Sequence, residues 1–207
     1  MVDLRSRWSK VWRDSGALSA DDVAYNELVK RYSQPHRAYH NLEHIRECLL
    51  HLDSASHLLA RPTEAELAVW FHDVIYDTRG GENEELSARF AATILQSGGV
   101  ENDSVQRIAD LIRKTSHRHS YLSGDAAIVA DVDLTILGAD PDRFNQYEIA
   151  IRVEYDWVPA PLYRRERRRI LEQFLDRPHV FHTLFFREKF ESQARANLHY
   201  VIERYGV

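Results

Sequence analysis

From residue 4 to residue 204 the apolar side chains of this chain return every three or four positions, and over no stretch do they alternate with polar ones as a half-buried strand requires. Leu42, Ile45, Leu49 and Leu50 carry the pattern, and so do Leu67, Val69, Trp70 and Val74. Side chains so spaced stack on one face of an α-helix. With 8 Gly and 6 Pro in 207 residues, little interrupts them. The nearest approach to a strand, Ala126-Ala127-Ile128-Val129-Ala130, runs into Leu134-Thr135-Ile136-Leu137-Gly138, which reads as a helix closed by glycine. Helices are predicted over 4–14, 20–33, 41–59, 64–77, 83–97, 101–116, 124–138, 141–157, 162–176 and 182–204. Thr63-Glu64-Ala65-Glu66 reads as a capping box and Ser19-Ala20-Asp21-Asp22 as a weaker one. Asp140-Pro141 reads as a cap followed by proline at the first helical position. The loops at 77–82, 97–101 and 117–124 are short and no repeat or low-complexity linker divides the chain, so one compact all-α domain over residues 1–207 is expected.

Apolar residues make up 44% of the chain, enough for one sizeable core. No window approaches the length of a membrane-spanning apolar segment, and the opening Met-Val-Asp-Leu-Arg-Ser-Arg-Trp has no signal-peptide core. No membrane partner is therefore expected. The lone Cys48 can form no internal disulfide, which suits a reducing cytoplasm. A net charge of −5 speaks against nucleic acid as a partner. The run Arg164-Arg165-Glu166-Arg167-Arg168-Arg169 is read as a solvated helix face, opposite Leu162, Ile170, Leu171 and Phe174, in preference to a phosphate patch. Trp8, Trp12, Trp70 and Trp157, with Phe185, Phe186 and Phe190, are read as core.

His72 and Asp73 interrupt the apolar run Ala68-Val69-Trp70-Phe71-His72-Asp73-Val74-Ile75-Tyr76. An ionised carboxylate buried without a partner costs several kcal/mol, and a divalent cation neutralises it while also accepting the imidazole. The plain alternative is a partly exposed His-Asp pair on a helix. His40 and His44, four apart, are expected to share a helix face. Thr115-Ser116-His117-Arg118-His119 closes a further helix. Asp131 and Asp133 stand inside another apolar helix on different faces, so at most one is expected to turn inward. One dication would answer the acids of both helices. Imidazole with carboxylate suits Mn, Fe, Co, Ni or Zn, whereas Mg prefers oxygen alone.

The order His44, then His72-Asp73, then an Asp in a later helix resembles the HD-domain superfamily of metal-dependent phosphohydrolases. Tyr39-His40-Asn41-x-x-His44 is similar to an element of the cyclic-nucleotide phosphodiesterases within it. Trp70-Phe71-His72-Asp73-x-x-Tyr76, Asn83-Glu84-Glu85-x-Ser87-Ala88, Asp131-x-Asp133-Leu134-x-Ile136-Leu137-Gly138 and Arg152-x-Glu154-Tyr155 extend the likeness, from residue 8 to residue 204. They resemble a bacterial branch of predicted HD phosphohydrolases of about this length. The resemblance implies an HD-type helical fold and one or two divalent ions. It implies His44, His72, Asp73 and, in preference to Asp131, Asp133 as metal ligands. It gives His40 the role of general acid, and Asp73 that of bridging two ions or orienting the attacking water. His117, and after it His119, fall where some members place extra histidines for a second metal. A second phosphodiesterase-type histidine block and the Gly-Tyr-Pro element of the cyclic-di-nucleotide branch are both missing, which speaks against those two substrates.

The implied activity is hydrolysis of a phosphoester of a small molecule, nucleotides included, by metal-activated water. Two other readings stand beside it: an oxygenase with a mixed-valent di-iron centre, which draws on His117 and His119, and a non-catalytic nucleotide-sensing module. Glu84 is weighed as a pocket residue against a first-turn acid, and Glu85 is read as the latter. Arg152 is read as reaching the pocket and Tyr155 as packing, while Lys114 and Arg118 either neutralise phosphate or favour a helix end. Arg79-Gly80-Gly81 is read as a turn. His36, His51, His57, His179, His182 and His199 are read as surface or internally satisfied. The apolar C-terminal helix is a candidate interface for a homo-oligomer.

Overall fold

Helices form wherever the three-and-four spacing is sustained. The computed structural model describes residues 3–119 and 121–206, and among them there is no strand. In chain order the helices are α1 Leu4–Asp14, α2 Asp22–Tyr32, α3 Leu42–Ser54, α4 Pro62–Phe71, α5 Asn83–Ser97, α6 Asn102–Lys114, α7 Gly124–Leu134, α8 Pro141–Glu154, α9 Ala160–Leu175, α10 Leu184–Phe186 and α11 Ser192–Tyr205. Short 3-10 turns follow α3 at Ser56–Leu58 and α7 at Thr135–Gly138, and a π turn, Arg187–Glu191, joins α10 to α11. Among the described residues no helix is long and apolar enough to cross a membrane.

Two helices have apolar residues all round, which places them at the centre. One is α4, with Ala65, Leu67, Ala68, Val69, Trp70 and Phe71 all buried; it packs against α1, α3, α5, α6 and α7. The other is α7, buried from Ala127 to Val132 and again at Leu134. Trp8 of α1 stacks on Trp12 and meets Trp70 and Phe71 edge-on, closing one end of the core. The apolar face of α11 (Ala194, Leu198, Val201) packs inside the chain, on α9 and the Thr135–Gly138 turn, so the face considered for an oligomer interface is covered. Gly138 allows that approach: a Cβ there would lie 2.6 Å from Cβ of Phe190 in the π turn.

Several local expectations are corrected. Neither capping box forms: Pro62 opens α4 at its first position, Arg61 gives no side-chain cap, and Glu66 pairs with Arg7. Asp21 caps nothing and pairs with Arg5. Asp140 does cap α8, accepting from the Arg143 N–H at 3.1 Å. Trp157 is 45% exposed, its Nε1–H given to Thr78 Oγ1, so it is not core. Within the arginine run, Arg167 turns inward onto buried Glu148 and the Tyr147 hydroxyl, while Arg165, Arg168 and Arg169 pair with acids on the surface.

The largest departure is at the end of α4. Helix was predicted through residue 77, yet it stops at Phe71, and His72 and Asp73 lie in the turn that follows. The carbonyls released there are each taken up. His72 Nδ1–H donates to Val69, the Tyr32 hydroxyl to Trp70, and the Val74 N–H to Phe71. Buried Arg37 donates to the carbonyls of Asp73 (2.6 Å) and Val74 (3.0 Å). A helix end whose carbonyls are so fully satisfied can be buried.

Candidate metal centre

Four side chains from three places in the sequence converge between α3, the end of α4 and α7. His44, His72, Asp73 and Asp133 each offer one ligand atom, and these atoms all lie within 4.8 Å of one another. The two Nε2 atoms are 3.1 Å apart. Asp73 Oδ2 is 3.0 Å from His72 Nε2 and 3.5 Å from His44 Nε2. Asp133 Oδ1 is 3.2 Å from His44 Nε2 and 3.4 Å from His72 Nε2. Donors about 2.1 Å from one ion, set 90–109° apart, lie roughly 3.0–3.4 Å from each other, so this spacing fits a divalent transition metal. The tautomer fits too. With Nδ1–H of His72 given to the Val69 carbonyl at 2.9 Å, its Nε2 lone pair faces the cluster. This buried His/Asp group can hold a metal ion.

The charges are mutually dependent. Burial pushes the His72 imidazole down, but Asp73 and Asp133 outweigh it and hold it well above its ordinary value. His44 is raised likewise against burial, with Cys48, Tyr39 and both acids contributing. Burial would raise the carboxyls of Asp73 and Asp133; the neighbouring imidazoles, His72 foremost, hold both well below the usual range. A cavity of about 300 Å³, lined by Tyr39, His44, Cys48, Asp133, Thr135 and Arg143 among others, opens beside the cluster.

His40 lies just before α3 rather than on it, so it does not share a helix face with His44, although the two rings are 5.8 Å apart. Its Nδ1 is 2.7 Å from Glu154 Oε2, and its ring stacks on Tyr76 at 4.1 Å. The Glu154 carboxylate is buried and fully engaged, accepting also from the N–H groups of Tyr39 (2.7 Å) and His40 (2.9 Å) and from the Tyr76 hydroxyl (2.8 Å). Burial would raise it, but the hydrogen bond and charge of His40 hold it below its ordinary value. Glu154, Tyr76 and Arg37 belong to this site without having been assigned roles in it. A signal for Glu154 existed: it follows Phe144, Tyr147 and Ile151 on the buried face of α8. Arg37 lies outside any helical pattern and left none.

The remaining candidates separate. His117 joins the cluster's edge, its Nε2 2.7 Å from Asp133 Oδ2. Asp131 does not. It points away, and its two oxygens accept the N–H groups of His182 (2.6 Å) and Thr183 (2.7 Å), because residues two apart on a helix face different neighbours. Arg152 does not reach the site either: its guanidinium donates to the carbonyls of Tyr155 and Val158, closing the end of α8. Glu84 lies half-buried in the first turn of α5 and makes no hydrogen bond or ion pair with the cluster among the described residues. Glu85 pairs with Arg89 and Arg113. Comparison of the chain with protein-family models, with curated proteins and with solved structures yields no match.

Proposed function

We propose that this chain is a metal-dependent phosphohydrolase acting on a phosphoester of a small molecule, nucleotides among the candidates, with an HD-type centre. The observation that carries the reading is the convergence of His44, His72, Asp73 and Asp133 at ligand spacing, with His40 beside them. The donor set suits Mn, Fe, Co, Ni or Zn, and Mg less well. A divalent ion bound there supplies Lewis acidity, lowering the pKa of water and polarising a phosphoryl oxygen. The chain's own groups do the rest. Asp73, its carboxylate beside both imidazoles, orients the attacking water. His40, with Nδ1 fixed by Glu154, has Nε2 left to give a proton to the leaving oxygen. Glu154 and Tyr76 hold that ring in one orientation.

His72→Ala and Asp73→Ala should each lose bound metal and activity together. Activity is read in a screen of phosphomonoesters, cyclic nucleotides and nucleoside triphosphates with added Mn, Co or Ni. Full metal content in both variants would refute the assignment, and absence of turnover in the whole screen would move weight to a nucleotide-sensing role. One contact favours a second reading. His117 on Asp133 Oδ2 supplies a donor for a second ion, as a di-iron oxygenase needs. Two irons per chain with oxygen-dependent turnover would select it; phosphate release without oxygen uptake would select the hydrolase.

A further inference from the structure

The turn at residues 115–119 and the segment at residues 176–183 meet beside the cluster, both held by α7: Asp133 takes the His117 ring and Asp131 the backbone of His182 and Thr183. Arg177 ties the two together by donating Nη2 to the His117 carbonyl. His117 is the one non-glycine residue with positive φ (54°) among the described residues, a conformation that costs about 1 kcal/mol or more and is kept where the surroundings impose it.

What this corner lacks is hydrogen-bond partners. Arg177 Nη1, His182 Nε2 and His117 Nδ1 are buried and have no hydrogen-bond partner among the described residues. The other such atoms belong to Arg46, Trp70 and Tyr163, on three separate helices, so only here do they gather on neighbouring side chains. Buried polar groups are normally paired, and a cationic one most of all. Burial first, then the charges of Arg177, His117, Arg187 and His119, push the His182 imidazole down to about 4. The nearby acids are spent: Asp131 on two backbone N–H groups, Asp133 on His117, His44 and His72. Arg187 is spent too, on the carbonyls of Phe181 and His182.

We propose that Arg177 and His182, with His117 between them and the cluster, form an oxyanion subsite that takes a phosphate, either free or as a phosphoryl group of a larger ligand. A guanidinium edge and an imidazole N–H are the donors such a group requires. The subsite uses donors that the hydrolase reading leaves idle and does not depend on it. If both hold and the bound phosphoryl group belongs to the substrate, that substrate carries a second anionic group beyond the one at the metal.

The test uses the full chain with its histidines labelled with nitrogen-15, chelated so that the cluster cannot capture the anion. Inorganic phosphate should shift the His182 ring signals saturably. Arg177→Gln should weaken that binding at least tenfold, with metal uptake at the cluster and the circular dichroism unchanged. A nucleoside 3′,5′-bisphosphate compared with its 5′-monophosphate separates the two sources. Tenfold tighter binding of the bisphosphate, abolished by Arg177→Gln, identifies a phosphoryl group of a larger ligand; equal affinity identifies free phosphate. No saturable shift of His182 with any of these probes on the unmutated chain would overturn the subsite, and that result needs no variant to fold. Because no turnover is measured, an inactive protein leaves the subsite standing, and an absent subsite leaves the metal centre standing.

Discussion

Asp131 and Asp133 are two positions apart on one helix and meet opposite fates, and the difference lies in their neighbours. Because α7 is apolar on every side, no polar stripe marks an outward face, and the sequence leaves open which acid meets the imidazoles. That choice depends on how α3 and the end of α4 pack against α7, which no local pattern encodes. Where an acid continues the spacing of a buried face, as Glu154 does after Phe144, Tyr147 and Ile151 on α8, its inward direction is legible in the sequence. Asp131 has a consequence of its own. Burial raises its carboxyl to about 6 despite its two N–H donors, from an ordinary 3.8. Between those values the folded chain binds more protons than the unfolded one, so this group's contribution to stability is present at the acid end and is lost as pH rises to about 6. A shift of about two units corresponds to about 3 kcal/mol. Asp131→Asn removes the titration. Between about pH 4 and pH 7, urea denaturation should therefore show the stability of the unmutated chain moving downward relative to the variant by up to that amount.

At the scale of elements, all ten predicted helices are found, with most ends within three residues, because periodicity reports a buried face directly. Of the misplaced ends, that of α4 shows the part a distant partner can play. The end of α4 is decided by Arg37, which sits in the segment before α3 and collects the carbonyls of His40, Asp73 and Val74. The same contacts hold Asp73 at the cluster and His40 beside it, so one buried guanidinium positions both halves of the site. Arg37→Met keeps the bulk and removes the donors, leaving these carbonyls to the interior. Unsatisfied buried groups cost about 1–3 kcal/mol each, so a loss of roughly 3 kcal/mol or more is expected in chemical denaturation, together with weaker metal retention. Unchanged stability in this variant would mean that water replaces the guanidinium and that the turn at residues 72–75 is self-supporting.

For the molecule as a whole, a metal ion held by the His/Asp cluster would be coupled to protons and to the fold. Without an ion, the raised imidazoles of His44 and His72 stabilise the fold at low pH, below their unfolded value, and that contribution is lost as pH rises through their folded values. With an ion those nitrogens must be deprotonated, so uptake releases protons and strengthens with pH. Calorimetry of metal binding in two buffers of different ionisation heat should show that release, and His72→Ala should abolish it. The ligands also have a topological meaning. His44 on α3, His72-Asp73 in the turn after α4 and Asp133 on α7 are far apart along the chain, so the site exists only after these elements have assembled. An ion fastening contacts that mature late leaves the climb to the folding barrier untouched and deepens the well behind it. Stopped-flow chevrons with and without metal should accordingly superimpose on the refolding arm and part on the unfolding arm, making the cation a brake on escape from the native state.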